Sequence, residues 1–107
     1  MVDEVEVLVQ IASVSAVQLR IWVSEEWVRP TRNDRGLVFN EADVARVRLI
    51  NMLYNELEVG EEAIPIILSL IDQVHDLREQ MRIISDAIDE QPDEIRSTLL
   101  GAARKSQ

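Results

Sequence analysis

The chain of 107 residues contains no cysteine, so it can form neither disulfide bonds nor thiolate metal sites. It has three prolines and three glycines, and the glycines are too far apart to form a glycine-rich phosphate-binding loop. Aromatic residues make up only 4 % of the chain, so the core has to be built from Val, Ile, Leu and Met. A chain of this length forms one small domain, or a small domain with a helical extension.

Motifs of the common enzyme classes are also missing. HExxH, GxSxG and CxxC do not occur. The single histidine, His75, has no second histidine or cysteine with which to hold a metal, and no nucleophile is arranged with it. We therefore expect a protein that is not an enzyme and that uses no cofactor or metal.

The first residues, MVDEVEV, carry acids where a signal peptide needs basic residues. The longest apolar run, residues 63–71, is much shorter than a membrane span. We therefore expect a cytoplasmic location and no contact with a membrane.

Positive charge is scarce, with a net charge of -9 and one lysine, Lys105. Residues 1–60 carry six basic and ten acidic side chains, and residues 61–107 carry five and ten. DNA affinity comes largely from Lys and Arg side chains that neutralise phosphates, and neither half is a basic module. An acidic surface instead suits a basic partner, such as a basic helix of another protein.

The first segment, residues 5–12, leaves two structures open. Apolar residues at alternate positions (Val5, Val7, Val9 and Ile11) are typical of a strand, but the run is also long enough for two helical turns with Leu8 facing inward. Ser15 then predicts the N-cap of a helix. We expect this helix to end near Trp27, because Pro30 disfavours helical geometry in the residue before it.

A turn-tipped ribbon and a capped helix follow. Asn33, Asp34 and Gly36 predict a turn before the apolar residues 37–39. Asn40 predicts the cap of a helix with Asp43 as the capping-box acid. This helix should stop before Gly60 and bury one stripe: Val44, Val47, Ile50 (or Leu49), Leu53, Tyr54 and Leu57.

A long helix is predicted to start at Glu61 and Glu62, with Pro65 in or near its first turn. Alternating steps of three and four predict a coiled-coil seam of Ile67, Leu70, Val74, Leu77, Met81, Ile84 and Ile88. Extra apolar residues predict burial on several sides for its first half: Ile64, Ile66, Leu68 and Ile71. Pro92 breaks the helix, and residues 93–107 predict a short amphipathic helix with a frayed end. The seam packs on that helix or forms a homodimer, in parallel or antiparallel orientation.

The fold class that follows is mainly α. It comprises a winged helix-turn-helix head with a small β-ribbon (residues 1–60), a long helix for packing or dimerisation (61–90) and a short C-terminal helix with a tail (91–107).

The order LRIWVSEEWVRP, turn, FNEADVARVRLI resembles the MerR-type winged-helix family. With the segment LSLIDQVHDLR, the chain resembles more closely the CbpM family of chaperone modulators, over residues 5–88. The resemblance implies a partner, namely the J-domain of a DnaJ/CbpA-like co-chaperone. It also implies inhibition of that co-chaperone in competition with its DnaK-type chaperone. A J-domain presents a basic helix, which an acidic head complements.

Two departures from the MerR pattern weaken the alternative of a DNA-binding transcriptional regulator. Gly36 is followed by Leu37 and Val38, so the arginine expected on the wing is missing, and Glu26 stands where the family has a glycine. The DNA interpretation would rest on Arg20, Arg29, Arg32 and Arg35. We predict partner binding through Glu25, Glu26, Trp27, Glu41 and Asp43, although packing also explains the tryptophan and helix capping the last two acids. A scaffold with some other partner is a third hypothesis.

Overall fold

A computed structural model describes residues 1–105, without the side chains of Ala103 and Lys105. The predicted mainly helical fold class is confirmed. The elements are β1 (Val2–Asp3), α1 (Glu4–Gln10), α2 (Ala16–Ser24), β2 (Thr31–Asn33), β3 (Gly36–Phe39), α3 (Glu41–Asn51), a π-helix (Met52–Glu56), α4 (Ile64–Asp89) and α5 (Asp93–Lys105). Residues 106–107 of the predicted tail lie outside the described residues.

The chain forms two compact units, the first from Met1 to Leu68 and the second from Ser69 onward. The helix α4 begins in the first unit and continues into the second. Within residues 1–105, no helix combines the length and the apolar character needed to span a membrane.

The ambiguous first segment is a helix preceded by a very short strand. The Asp3 carboxylate caps α1 by accepting a hydrogen bond of 2.8 Å from the backbone N–H of Glu6. Val7 is completely buried, whereas Val5 and Val9 are mostly exposed. The alternation of valines therefore does not mark a strand. The strand β1 lies just before it and pairs antiparallel with β3, so that the sheet order is β1-β3-β2.

Two capping boxes confirm the predicted helix starts. The hydroxyl of Ser15 accepts from the N–H of Gln18 at 3.1 Å, and the Gln18 side chain accepts from the N–H of Ser15. Asn40 and Asp43 exchange the same pair of bonds at the start of α3. Each box satisfies N–H groups that a helix start leaves without partners.

The end of α2 lies at Ser24, earlier than the predicted end near Trp27, and its cause is local. The N–H of Trp27 donates to the carbonyl of Trp22 at 3.0 Å, and the N–H of Glu26 donates to that of Val23 at 3.1 Å. Glu26 has a positive φ of 63°. This combination is a Schellman motif, in which one residue in left-handed geometry reverses the chain after the helix. The helix therefore ends before Pro30 has any effect.

The predicted turn between β2 and β3 is confirmed. The side-chain carbonyl of Asn33 accepts from the N–H of Arg35 at 2.9 Å. Gly36 has a φ of 119°, a value that residues with a Cβ rarely adopt. Asn33 pairs with Gly36 in the register, so the turn closes directly into the ribbon.

The helix after Asn40 buries most of its predicted stripe, but the prediction for Leu57 is wrong, because its side chain is 62 % exposed. The reason is the π-helix, in which the N–H of Leu57 donates to Met52, five residues back, at 2.8 Å. The wider turn moves Leu57 out of the stripe. A side-chain network accompanies this turn: Asn55 bonds Asn51 at 2.7 Å and exchanges amide hydrogen bonds with Gln18.

The core of the first unit is almost entirely aliphatic, apart from Trp22, Trp27 and Phe39. The ring of Trp22 packs edge-on against Tyr54, with centroids 6.1 Å apart. The start of α4 closes this core through Ile64 and Leu68. The helix begins at Ile64 rather than at Glu61, because a turn intervenes in which the N–H of Ala63 donates to Gly60. Ile66 is 62 % exposed, so its predicted burial is wrong.

In the second unit, no side chain that the structure describes is buried. Most of the seam on α4 is exposed, namely Leu70, Val74, Leu77, Met81 and Ile84. Three large apolar side chains of α5 are also exposed: Ile95, Leu99 and Leu100. A shallow apolar groove of about 190 Å³ lies along Met81, Ile84, Ile88 and Leu100. This unit has helices but no closed core among its described residues.

The left-handed conformation of Glu26 predicts a stabilising substitution. Left-handed geometry costs a residue with a Cβ about 1–2 kcal/mol, whereas glycine adopts it freely. We expect Glu26→Gly to raise the free energy of unfolding by about 1 kcal/mol after the added entropy of the unfolded chain is counted. Urea denaturation measures this change.

The neighbouring residue provides the control. Glu25 has right-handed geometry, with a φ of -77°, so Glu25→Gly should lower the free energy of unfolding by about 0.5–1 kcal/mol. Equal effects of the two substitutions would contradict the assignment of strain to Glu26.

Candidate functional site

The outward face of α2, the second helix of the helix-turn-helix, is half apolar. Four side chains of this helix are exposed: Val17, Arg20, Ile21 and Ser24. Val17 is 65 % exposed and Ile21 is 47 % exposed, and they stand four residues apart on one face. Base edges and phosphates are bound mainly by polar and basic groups. This face therefore suits contact with a protein better than contact with DNA.

An open groove begins beside Ile21. It has a volume of about 260 Å³ and is lined by Ile21, Glu25, Trp27, Glu61, Glu62 and Pro65. Three lining residues are apolar, three are glutamates and none is basic. We call this feature the acidic groove. All of its residues belong to the first unit, where they come from two separate stretches of sequence, residues 21–27 and 61–65.

The Schellman motif positions one side of the acidic groove. It turns the chain so that Trp27, 9 % exposed, joins the same core as Trp22, while Glu25 remains exposed at the end of α2. The carbonyl of Trp27 accepts a hydrogen bond of 2.8 Å from Nε of Arg46. This bond ties the segment after α2 to α3, so the groove wall has support from two helices.

The start of α4 supplies the other side. The phenol of Tyr54 donates to Oε1 of Glu61 at 3.2 Å, which raises the pKa of the phenol because its neutral form makes this bond and because the carboxylate charge opposes ionisation. A Cβ at Gly60 would stand 3.0 Å from Oε2 of Glu62, so the missing side chain leaves room for that carboxylate. Both acids precede a helix N-terminus, where negative charge is stabilised.

The structure brings together only some of the predicted partner-binding residues. Glu25 and Trp27 line the acidic groove, and Glu26 lies beside them with its carboxylate 3.9 Å from Arg29. Glu41 and Asp43 are at the start of α3, outside the groove lining, and the Asp43 carboxylate accepts the Asn40 N–H at 3.0 Å.

Four residues of the acidic groove are not among the predicted partner-binding residues: Ile21, Glu61, Glu62 and Pro65. The sequence indicates a helix start for the two acids and a first helical turn for the proline. Ile21 stands one helical turn before Glu25, so helical spacing could have linked these two residues. No local signal in the sequence links Glu61, Glu62 and Pro65 to them.

Two of the four arginines of the DNA interpretation are paired with acids. Arg20 bonds Glu4 at 3.1 Å across α1 and α2, and Arg29 faces Glu26. Arg32 and Arg35 are exposed on the ribbon, and their side chains have no acidic partner within residues 1–105. Phosphate contact would therefore start from two arginines at the wing tip.

Among the side chains that the structure describes, no three of His, Cys, Asp or Glu are grouped closely enough to hold a metal ion. His75 is exposed on α4.

Comparison with protein families gives a match over most of the chain. Residues 4–86 match the MerR HTH family of regulatory proteins, and the chain belongs to that family. The matched range begins at α1 and ends within α4, so it includes the helix-turn-helix, the ribbon and most of the long helix. Neither curated proteins nor solved structures give a significant match.

The Tyr54–Glu61 contact gives a direct pH prediction. The hydrogen bond is present below the ordinary phenol pKa of 10.0 and is lost as pH rises through the raised pKa of the folded protein. Because Tyr54 is the one tyrosine in the chain, the absorbance of its phenolate can be followed without interference from another. We expect a midpoint above 10.0 in the folded protein.

Glu61→Gln should lower that midpoint toward the ordinary value, since it removes the carboxylate that opposes ionisation. Glu58→Gln is the matched control, because Glu58 is exposed and makes no recorded bond to Tyr54. A midpoint that is unchanged in Glu61→Gln would show that the contact does not form in solution.

Proposed function

We propose that this member of the MerR HTH family binds the J-domain of a DnaJ/CbpA-like co-chaperone and inhibits it by blocking access of the DnaK-type chaperone. The observation that carries the proposal is the outward face of α2, where Val17 and Ile21 are exposed at a position suited to protein contact. The J-domain as the specific partner comes from the resemblance to the CbpM family.

Electrostatics favours the same class of partner. The chain has a net charge of -9, and the acidic groove places three carboxylates next to exposed Ile21 with no base among its lining residues. A basic helix of a J-domain complements this surface in charge, and its apolar side chains would meet Val17 and Ile21. Complementary charge speeds encounter and excludes acidic partners, while buried apolar contacts set the lifetime of the complex.

The conformation of Glu26 supports a role for the acidic end of α2. A glutamate there is unfavourable on two local grounds: its backbone is left-handed, and its charge lies at a helix C-terminus. Residues that break local rules are concentrated at functional sites. The stability of the fold does not account for a glutamate at position 26, whereas contact with a basic partner does.

The proposed mechanism is stoichiometric inhibition. The first unit covers the basic helix that the J-domain would offer its chaperone, so the two compete for one surface. Inhibition of this kind requires no turnover, no cofactor and no catalytic residue.

DNA binding is the second candidate, favoured by the description of the family as regulatory and by exposed Arg32 and Arg35. Affinity that rests on phosphate contacts falls steeply with salt. Two arginines at the ribbon, set against an acidic first unit, supply little of that attraction. The salt dependence of binding to a random duplex therefore separates the two functions.

We also propose that the protein is a homodimer that pairs through the exposed seam of α4. The seam exposes several large apolar side chains, among them Leu70, Leu77 and Met81. A contiguous exposed apolar surface marks an interaction site. The seam repeats in steps of three and four, as two-stranded helical pairing requires.

The partner proposal predicts saturable binding of the cognate J-domain and no binding of random duplex DNA, measured by titration at low and moderate salt. The double substitution Glu25→Lys with Glu26→Lys should weaken J-domain binding roughly tenfold or more, because two attractive contacts become repulsive. The far-ultraviolet circular dichroism spectrum should stay unchanged, since both side chains are exposed.

Asp76→Lys with Glu90→Lys makes the same change of charge on exposed residues of the second unit and should leave affinity nearly unchanged. Salt-sensitive DNA binding without J-domain binding would replace the proposal with the regulator function.

The dimer proposal predicts a mass of twice the 12.2 kDa of one chain in analytical ultracentrifugation. Leu77→Glu should shift the protein to the single-chain mass, since it places a charge in the seam. Arg78→Glu, at the adjacent exposed position off the seam, is the control. A wild-type protein with the mass of one chain at all concentrations would reject the proposal.

A further inference from the structure

We propose that the acidic groove is the docking site for one lysine or arginine side chain of the protein partner. The aliphatic stem of that side chain would lie against Trp27, and its charged end would reach the carboxylates of Glu25, Glu61 and Glu62. This inference rests on the proposed function in one respect, namely that the partner is a protein. It adds the point of contact and the residue type that the site selects.

The apolar lining residues of the groove suit contact with an aliphatic chain. Ile21, Trp27 and Pro65 form its apolar part, and the indole is held in place because Trp27 belongs to the core and its carbonyl is bonded to Arg46. Long basic side chains bury their methylene groups on such surfaces and keep the charge at the end in a polar environment.

The acidic lining residues of the groove favour binding of a positively charged group. Three of its six lining residues are glutamates, from the end of α2 and from the turn before α4, and no lining residue is basic. The Tyr54 hydroxyl holds Oε1 of Glu61 and does not neutralise the carboxylate, because it is a neutral donor. An acidic or neutral side chain would leave these carboxylates without compensation.

Size and surroundings favour a side chain of a protein over a free ligand. The groove is open and has about 260 Å³, below the range of roughly 300–1,000 Å³ typical of small-molecule sites. It is also continuous, through Ile21, with the exposed face of α2 that carries Val17. A helix of the partner lying on that face would place a basic side chain in the groove.

The test is titration of the cognate J-domain into the intact protein. Glu25→Gln and Glu62→Gln keep the shape of each side chain and remove its charge. We expect each to weaken binding roughly tenfold, with a smaller dependence of affinity on salt. The control is Glu56→Gln, which removes one exposed carboxylate of the first unit outside the groove lining. It should change affinity by less than about twofold.

The residue that enters the groove can then be identified on the partner. Each lysine and arginine of the J-domain's basic helix is replaced by alanine, and each variant is titrated against wild-type protein and Glu62→Gln. We expect a single basic residue whose replacement weakens binding to the wild type but has little further effect in Glu62→Gln, since coupling of this kind marks direct contact. If the J-domain binds but the groove variants behave like Glu56→Gln, the inference is overturned and the proposed function stands.

A second measurement decides the case in which the J-domain does not bind at all. N-acetyl-arginine methylamide, at millimolar concentration, is added to the ¹⁵N-labelled protein, and the indole N–H signal of Trp27 is followed after assignment with Trp27→Phe. The glutamine counterpart of this compound is the control. A shift caused by the arginine compound alone would show that the groove takes a basic side chain while the J-domain proposal fails. Equal shifts with both compounds, or none, would overturn the inference.

One outcome separates a protein partner from a free cation. If the arginine compound shifts Trp27 but the J-domain binds with an affinity that Glu25→Gln and Glu62→Gln do not change, the groove binds free cations. That result would overturn docking of a partner side chain.

Discussion

The chain reversal after α2 is the constraint on which the rest of the first unit depends. Two backbone hydrogen bonds close it, from Trp27 to Trp22 and from Glu26 to Val23, with Glu26 in left-handed geometry. The reversal returns Trp27 to the core beside Trp22 and leaves Glu25 exposed at the end of the helix. Arg46 then binds the carbonyl of Trp27 and joins this corner to α3. This corner supplies Glu25 and Trp27 to the acidic groove, and Glu61, Glu62 and Pro65 supply another part of its lining.

The distribution of charge supports the proposed protein partner of this helix-turn-helix fold. Arg20 is paired with Glu4, and Arg29 faces Glu26, so two of the bases near the second helix are compensated within the chain. The acids of the groove have no such compensation among its lining residues. The same scaffold that presents a helix to the major groove of DNA in other proteins here presents a half-apolar face with acids at one end. The fold alone therefore does not decide the function of this chain.

The second unit has a different physical character. Its helices carry regular apolar stripes, but none of the side chains described there is buried. Amphipathic helices are stabilised mainly by packing of the apolar face, and here that face is solvent-exposed along the seam. The heptad pattern and the exposure of the seam together support the proposed pairing with another helix. The first unit, by contrast, closes its own core with Ile64 and Leu68.

The features that could be predicted from the sequence are those held by neighbouring residues. The caps of Ser15 and Asn40 and the turn before Gly36 were predictable, because each depends on hydrogen bonds or backbone angles within four residues. The alternating valines of α1 left helix and strand open, since a short apolar run suits both. Leu57 was misplaced because the π-helix that moves it out of the stripe has no recognised sequence signal here. The acidic groove could not be predicted in this way, since Ile21 and Pro65 are far apart in the chain and meet only through packing in the folded protein. Local bonding is encoded in adjacent residues, whereas a groove is a relation between elements that exists only once the core has formed.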